Sequence, residues 1–275
     1  MIKAINQWSF PGGLSLNSCM ELAFEAGFRA FEPAFAEDGE LSLVSTDKEV
    51  SAIKALADEK GMQLTSLASG LYWKYSPTSN DAAIRLKALE LIKRQLHCAK
   101  ILGVDTILMV PGTVGEGFWG EGADYDVAYD RAGEFLNGVK VLAKDCGVVI
   151  GVENVWNNFL LSPLEIKKFI DDISSDFVKF YFDVGNALIQ GFPEQWIRIL
   201  GNRICKVHVK DYRRSVGTYS GFVDLLSGDV DFAKVVSALK EVGYEGYIIA
   251  EVAAINGYPS MAAYRASAAL DAILK

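Results

Sequence analysis

The chain is 275 residues long, 51% hydrophobic and 23% charged, which is the make-up of a globular protein with a substantial core. A formal net charge of −8 and a pI near 4.9 argue against nucleic acid or an anionic membrane as the main partner, while leaving room for a small phosphorylated molecule at a local positive site. Met1–Asn6 reads as free of a signal peptide, no apolar run is long enough to span a bilayer, and Cys19, Cys98, Cys146 and Cys205 show no paired spacing, so a cytoplasmic protein with reduced, packed thiols is expected.

Short strand-like runs alternate with amphipathic segments along the whole chain. A first strand is expected over Lys3–Ser9, then a helix over Asn17–Ala26 that stops at Gly27. Phe28–Glu32 reads as the second strand. A helix follows from a cap at Thr46 or Asp47 to Lys60, closed by Gly61, and Gln63–Ser69 reads as the third strand. The longest helix runs over Asn80–Leu102, with Ile84, Leu89, Ile92, Leu96 and Ala99 on one face. Val104–Val110 is a strand stopped by Pro111–Gly112, and a helix over Asp124–Asp145 leads to the fifth strand, Val148–Glu153. Then come a helix over Pro163–Asp172, a strand over Val178–Asp183, a shorter helix over Glu194–Leu200 and a strand over Ile204–His208. The chain closes with a helix over Phe232–Val242, a strand over Tyr247–Glu251 and a helix over Tyr258–Leu274.

Strict alternation implies a parallel sheet, and eight βα units at this length point to a closed (β/α)8 barrel occupying residues 1–275 as one α/β domain. An open doubly wound sheet would want a Gly-x-Gly-x-x-Gly loop after the first strand, and Phe10–Pro11–Gly12–Gly13 does not supply one.

The last four strands all end on a side chain that binds metal or moves protons: Glu153, Asp183, His208 and Glu251. In a barrel these ends converge on the catalytic face, so residues distant in sequence become neighbours. Each alone has an ordinary reading: a helix cap or loop charge for Glu153, an Asx turn for Asp183, a packed core imidazole for His208 and an arginine partner for Glu251. Together they read as a site for one divalent cation. One imidazole with three carboxylates suits Mn²⁺ or Mg²⁺, and the same donors admit Co²⁺ or Zn²⁺.

The segments Val152–Glu153–Asn154, Phe182–Asp183–Val184–Gly185–Asn186, Val207–His208–Val209–Lys210–Asp211, Gly228–Asp229–Val230–Asp231–Phe232 and Ala250–Glu251, with the early Trp8–Ser9–Phe10, resemble those of the xylose isomerase-like TIM barrels. That group comprises sugar and sugar-phosphate isomerases and epimerases. The resemblance implies a sugar or sugar-phosphate substrate and a cation held by the four residues above. It also implies that Glu153 and Glu251 are acid/bases on opposite faces of a ketose, acting through an enediolate. A homodimer or homotetramer is the assembly expected. D-tagatose 3-epimerase-like members carry a histidine where this chain has Asn186; its Asp-Val-Gly-Asn is more similar to the L-xylulose-5-phosphate 3-epimerase and hexulose-6-phosphate isomerase branch. A lyase of the keto-inositol dehydratase kind and a non-catalytic sugar-binding protein are the alternatives, and an apurinic endonuclease is disfavoured by two histidines and the acidic charge.

Substrate contacts are expected from Trp8, Glu32, Trp119, Asn186, Lys210 and Arg213, with Glu32 orienting either substrate itself or a residue that holds the site. Trp8, Trp73, Trp119 and Trp156 fall just past strand ends, where they form either walls for a sugar's C–H face or rim packing. Lys210, Arg213 and Arg214 could hold a phosphate or hydroxyls, or form a solvated loop in which Lys210 pairs with Asp211. The glycine-rich run Gly112–Gly120 reads as either a lid over the site or an ordinary flexible loop.

Overall fold

The computed structural model describes the backbone of residues 1–117 and 120–275, and side chains outside 116–121. Eight parallel strands form one sheet: β1 (Ile2–Asn6), β2 (Ala30–Glu32), β3 (Gln63–Leu64), β4 (Thr106–Met109), β5 (Val149–Glu153), β6 (Val178–Asp183), β7 (Ile204–Val209) and β8 (Tyr247–Ala250). Their spatial order is β3-β2-β1-β8-β7-β6-β5-β4. The two ends of that series meet through a parallel bridge between Leu67 and Ile107, made by Leu67 N donating to Thr106 O (3.0 Å) and Leu108 N donating to Leu67 O (3.0 Å). The sheet therefore closes on itself as a (β/α)8 barrel. Gln95, fully buried on the helix Ala82–Leu102, fastens the seam by donating to Leu67 O (2.8 Å) and Leu108 O (3.2 Å) while Tyr72 Oη donates to its Oε1 (2.7 Å).

The helices form because their apolar positions recur on one face and their ends are capped. Thr46 and Glu49 make a reciprocal capping box at the start of Asp47–Glu59, and Gly103 closes Ala82–Leu102 in the left-handed conformation. Helix–sheet packing buries a large continuous apolar core, and Phe180 and Phe182 on β6 are wholly enclosed in it. No helix among the described residues is long and apolar enough to cross a membrane.

Departures from the sequence expectations are local. β1 stops at Asn6 because its side chain accepts from Trp8 N (2.6 Å) and turns Gln7–Ser9 into a 3-10 turn. β3 pairs regularly only over Gln63–Leu64, and the rest of the expected strand runs on as irregular chain bonded to both neighbours, with Thr65 N donating to Phe31 O (3.0 Å). A short helix not expected from the sequence, Val184–Leu188, starts directly at Asp183. The glycine-rich run carries a two-residue antiparallel pair, Glu116–Gly117 with Gly120–Glu121.

Candidate active site

The four strand-end residues meet. One donor atom from each of Glu153, Asp183, His208 and Glu251 can be chosen so that all lie within 4.8 Å of one another. His208 Nδ1 faces both glutamates, 3.2 Å from Glu153 Oε1 and 2.9 Å from Glu251 Oε2. Lys210, the next outward-alternating residue on the same segment, lies 3.0 Å from Asp183 Oδ2 and 2.9 Å from Glu251 Oε1. It is not paired with Asp211. That aspartate is fully buried and instead accepts from Tyr212 N (2.8 Å), Gly228 N (2.8 Å) and Val230 N (3.1 Å), which ties the loop after β7 to the run Gly228–Phe232.

Two asparagines hold Asp183. Asn154 exchanges a pair of 2.8 Å hydrogen bonds with the Asp183 backbone, and Asn186 N donates to Asp183 Oδ1 (2.7 Å) while its side chain donates to Asn154 O (2.9 Å). The glycine between them is required by close approach. A Cβ on Gly185 would sit 2.5 Å from Lys210 Cβ, which would push away the lysine that Asp183 faces. The Asp-x-Gly-Asn motif is thus a local solution for aiming one carboxylate oxygen at the barrel mouth and satisfying the other.

Burial and charge set the protonation of the group. Burial pushes the Glu153 carboxyl up to about 7, against the pull of His208 and Lys210. Glu251 is half-buried, which opposes its ionisation, but Lys210 and His208 outweigh that and hold it down at about 2. Burial raises Asp183. Burial opposes the charged form of His208, yet Glu32, Glu153 and Glu251 together keep it well above the ordinary imidazole value. Three carboxylates facing one another with a lysine and an imidazole leave an excess of negative charge in a nearly dry place. Asp183 Oδ2 and Glu251 Oε2 are buried and make no hydrogen bond, although each lies within ion-pair distance of a cationic group. An excess anionic, oxygen-rich donor set with two such oxygens fits a divalent cation.

Above the cluster opens a cavity of about 850 Å³. Glu153 and Glu251 line it together with Trp8, Trp73 and Trp156 as apolar walls and Asn186, Lys210 and Arg213 as polar groups. Trp156 is itself fixed by aromatic neighbours, Tyr212 at 5.2 Å and Phe222 at 5.3 Å between ring centroids.

A family model described as xylose isomerase-like TIM barrel matches residues 20–272. The chain belongs to that family. A putative L-ribulose-5-phosphate 3-epimerase SgbU of Haemophilus influenzae is 26% identical over 262 residues, covering 90% of this chain and 87% of its own length. L-ribulose-5-phosphate 3-epimerase UlaE of Salmonella heidelberg is 25% identical over 260 residues, covering 90% and 86%. Among solved structures, D-psicose 3-epimerase with D-tagatose from Clostridium cellulolyticum H10 superposes with a TM-score of 0.82 over 100% of this chain and 98% of that one, at 19% identity.

Of the residues singled out in the sequence, Trp8, Asn186, Lys210 and Arg213 are at the cavity and Trp119 lies outside the described residues. Arg214 turns away, donating to Gly191 O (2.5 Å) and stacking over Phe192. Glu32 is fully buried beneath the cluster, where Asn6, Ser66, Tyr181 and His208 surround it. Its burial opposes ionisation, but those donors and the imidazole together hold it below the ordinary carboxylate value. Asn6, Ser66 and Tyr181 escape a sequence reading because each looks like an ordinary strand residue; the available signal is that Glu32 itself ends a short apolar strand and must have partners.

Proposed function

We propose that this protein is a divalent-cation-dependent epimerase of a ketose or ketose phosphate, acting in the cytoplasm with Glu153 and Glu251 as its two acid/bases. The observation that carries the reading is the placement of these glutamates. They stand at the end of β5 and one residue past β8, reach the same aromatic-walled cavity, and are joined through His208 Nδ1. A carbon acid lying between them has one carboxylate to take its proton and another to return one on the opposite face. The curated relatives named as L-ribulose-5-phosphate 3-epimerases support the same reading, and Arg213 at the cavity is the cation best placed for a substrate's phosphate.

Glu153, Asp183, His208 and Glu251 would hold the cation, with Mn²⁺ favoured, and when bound it supplies polarisation of a carbonyl and its adjacent hydroxyl. The chain's own groups do the rest. Lys210 pulls Asp183 and Glu251 toward their ionised forms, Trp8, Trp73 and Trp156 exclude water from the C–H face, and Asn154 with Asn186 holds Asp183 in place.

A panel of ketoses and ketose 5- and 6-phosphates, incubated with Mn²⁺ in deuterium oxide and read by mass spectrometry and NMR, tests the reading. One solvent deuterium on the epimerised carbon with conserved skeleton is expected. Loss of water from the product indicates the lyase instead, and binding without exchange across the panel removes the enzyme reading. Glu153→Gln and Glu251→Gln should each lower epimerisation by roughly 10²–10⁴-fold, with each variant still exchanging the proton of one epimer only. Near-wild-type turnover in both, with metal bound, rules out the two-base mechanism.

A further inference from the structure

Beneath the four cation-facing residues lies a fifth acidic side chain with a different environment. Glu32 ends β2, is fully buried, and does not line the cavity. Four donors from four separate segments converge on it. Asn6 Nδ2 (2.5 Å) and His208 Nε2 (2.6 Å) meet Oε2, and Ser66 Oγ (2.5 Å) and Tyr181 Oη (2.5 Å) meet Oε1. A carboxylate offers about four acceptor sites, so these contacts fill it. It therefore has nothing left to offer a substrate, and its link to the cation-facing residues runs through the His208 ring.

That ring is gripped at both nitrogens. Nε2 points down to Glu32, and Nδ1 points up to Glu153 and Glu251. Tyr181 packs edge-on against the imidazole at 4.7 Å between ring centroids, which leaves the ring little freedom to flip. Tyr181 is in turn placed by Gly151 on the neighbouring strand, where a Cβ would come within 2.9 Å of the tyrosine ring.

We propose that Glu32 is a positioning residue for the cation site: it holds the His208 proton on Nε2 and so presents the Nδ1 lone pair to the barrel mouth. An imidazole whose far nitrogen donates to a carboxylate has its tautomer and orientation fixed and is a stronger ligand, and losing such a partner typically weakens metal binding by roughly 10–100-fold. Asn6, Ser66 and Tyr181 have the supporting task of satisfying the remaining lone pairs, so that Glu32 stays ionised and immobile in a dry place. The proposal rests on the cation reading given above, and it assigns no contact with substrate.

The test compares wild type with E32Q, which keeps side-chain size and removes the charge. Mn²⁺ affinity is measured by electron paramagnetic resonance titration, and folding by thermal melting of the metal-free proteins. The chain has only two histidines, His97 and His208, so in an H97Q background a ¹⁵N spectrum of the Zn²⁺-loaded protein reports one ring. The expected result is Mn²⁺ affinity at least tenfold weaker in E32Q with a cooperative melt retained. His208 should be ligated through Nδ1 with Nε2 protonated in wild type, with that pattern broadened or mixed in E32Q. Affinity within twofold of wild type and an unchanged ¹⁵N pattern overturn the proposal while leaving the cation reading standing. Failure of wild type itself to bind Mn²⁺ removes the cation reading and this proposal with it. Where E32Q does not fold, Y181F and S66A each withdraw one donor from Oε1; weaker Mn²⁺ binding in the folded variants supports the proposal, and unchanged binding in both overturns it.

Discussion

Gly151→Ala is the substitution for which the structure gives the sharpest expectation. The added methyl would lie 2.9 Å from Tyr181 Cδ2, 3.1 Å from Tyr181 Cβ and 3.2 Å from Cys205 Sγ. Two of these atoms belong to the root of a fully buried ring, which has no open side to move toward. Overpacking of this kind costs about 1–3 kcal/mol. If the ring shifts, its hydroxyl also leaves Glu32, and a hydrogen bond to a charged acceptor adds about 1.5–3 kcal/mol. Against this, replacing a strand glycine by alanine restricts the unfolded chain and returns about 0.5–1 kcal/mol. The steric and polar losses win, leaving a net destabilisation of roughly 2–4 kcal/mol. For a chain of this size that is a fall in Tm of roughly 5–15 °C. Differential scanning calorimetry of the metal-free protein, with urea denaturation as a second measure, reads it without reference to activity. A variant melting within a degree of wild type would show that the β5–β6 contact is slack and that Tyr181 is not held as described.

Other expectations follow from the same geometry. Asp211→Ala leaves three backbone N–H groups without their acceptor and should cost about 3 kcal/mol or more by urea titration; an unchanged midpoint means water replaces the carboxylate freely. His208 is kept above the ordinary imidazole value by its acidic neighbours, so a cation at Nδ1 competes with a proton for that nitrogen. Mn²⁺ affinity should therefore strengthen as pH rises from 5 to 8 with protons released, and calorimetry showing no dependence on buffer ionisation enthalpy would contradict this. Burial pushes the Cys19 and Cys98 thiols up to about 11 and Cys205 to about 12, so at pH 8 roughly one in a thousand of the first two is thiolate. Iodoacetamide under native conditions should reach Cys146 first in peptide mapping, and rapid labelling of Cys19 or Cys98 would refute the packing around them.

The barrel and the cluster at its mouth were legible for one physical reason. A charge that ends an apolar strand must find a partner, and Glu153, Asp183, His208 and Glu251 do so at consecutive strand ends. The helix breaks were legible because Gly61, Gly103, Gly147 and Gly243 take up the left-handed conformation that ends a helix. What could not be read was sidedness. Lys210 next to Asp211 suggests a local pair, but successive residues on an extended segment face opposite ways, so Lys210 meets Asp183 while Asp211 meets backbone. Likewise Glu32 and Trp8 both end strand-like runs, yet one lies sealed under the cluster and the other lines the cavity. Val184–Leu188 carries no helix signal because Gly185 and Asn186 are poor helix formers; the Asp183 cap and the need to bring Asn186 back onto Asn154 override that preference.

The uneven closure of the barrel divides the molecule by durability. From β4 round through β8 to β2 each strand is bonded to the next by a ladder, with one register shift between β6 and β7 at Phe180–Tyr181, whereas β3 and β4 meet at a single bridge fastened by one glutamine. The four cation-facing residues lie on β5, β6 and β7 and one residue past the end of β8, four strands that include neither side of that join. Amide hydrogen exchange should accordingly be slowest across those four strands and fastest around Leu67 and Leu108, the opening there being a sub-global excursion. The barrel can part between β3 and β4 without the cation-facing residues moving relative to one another, so breathing of the wall that carries Ser69 and Trp73 and integrity of the charged centre are separate properties of the same fold.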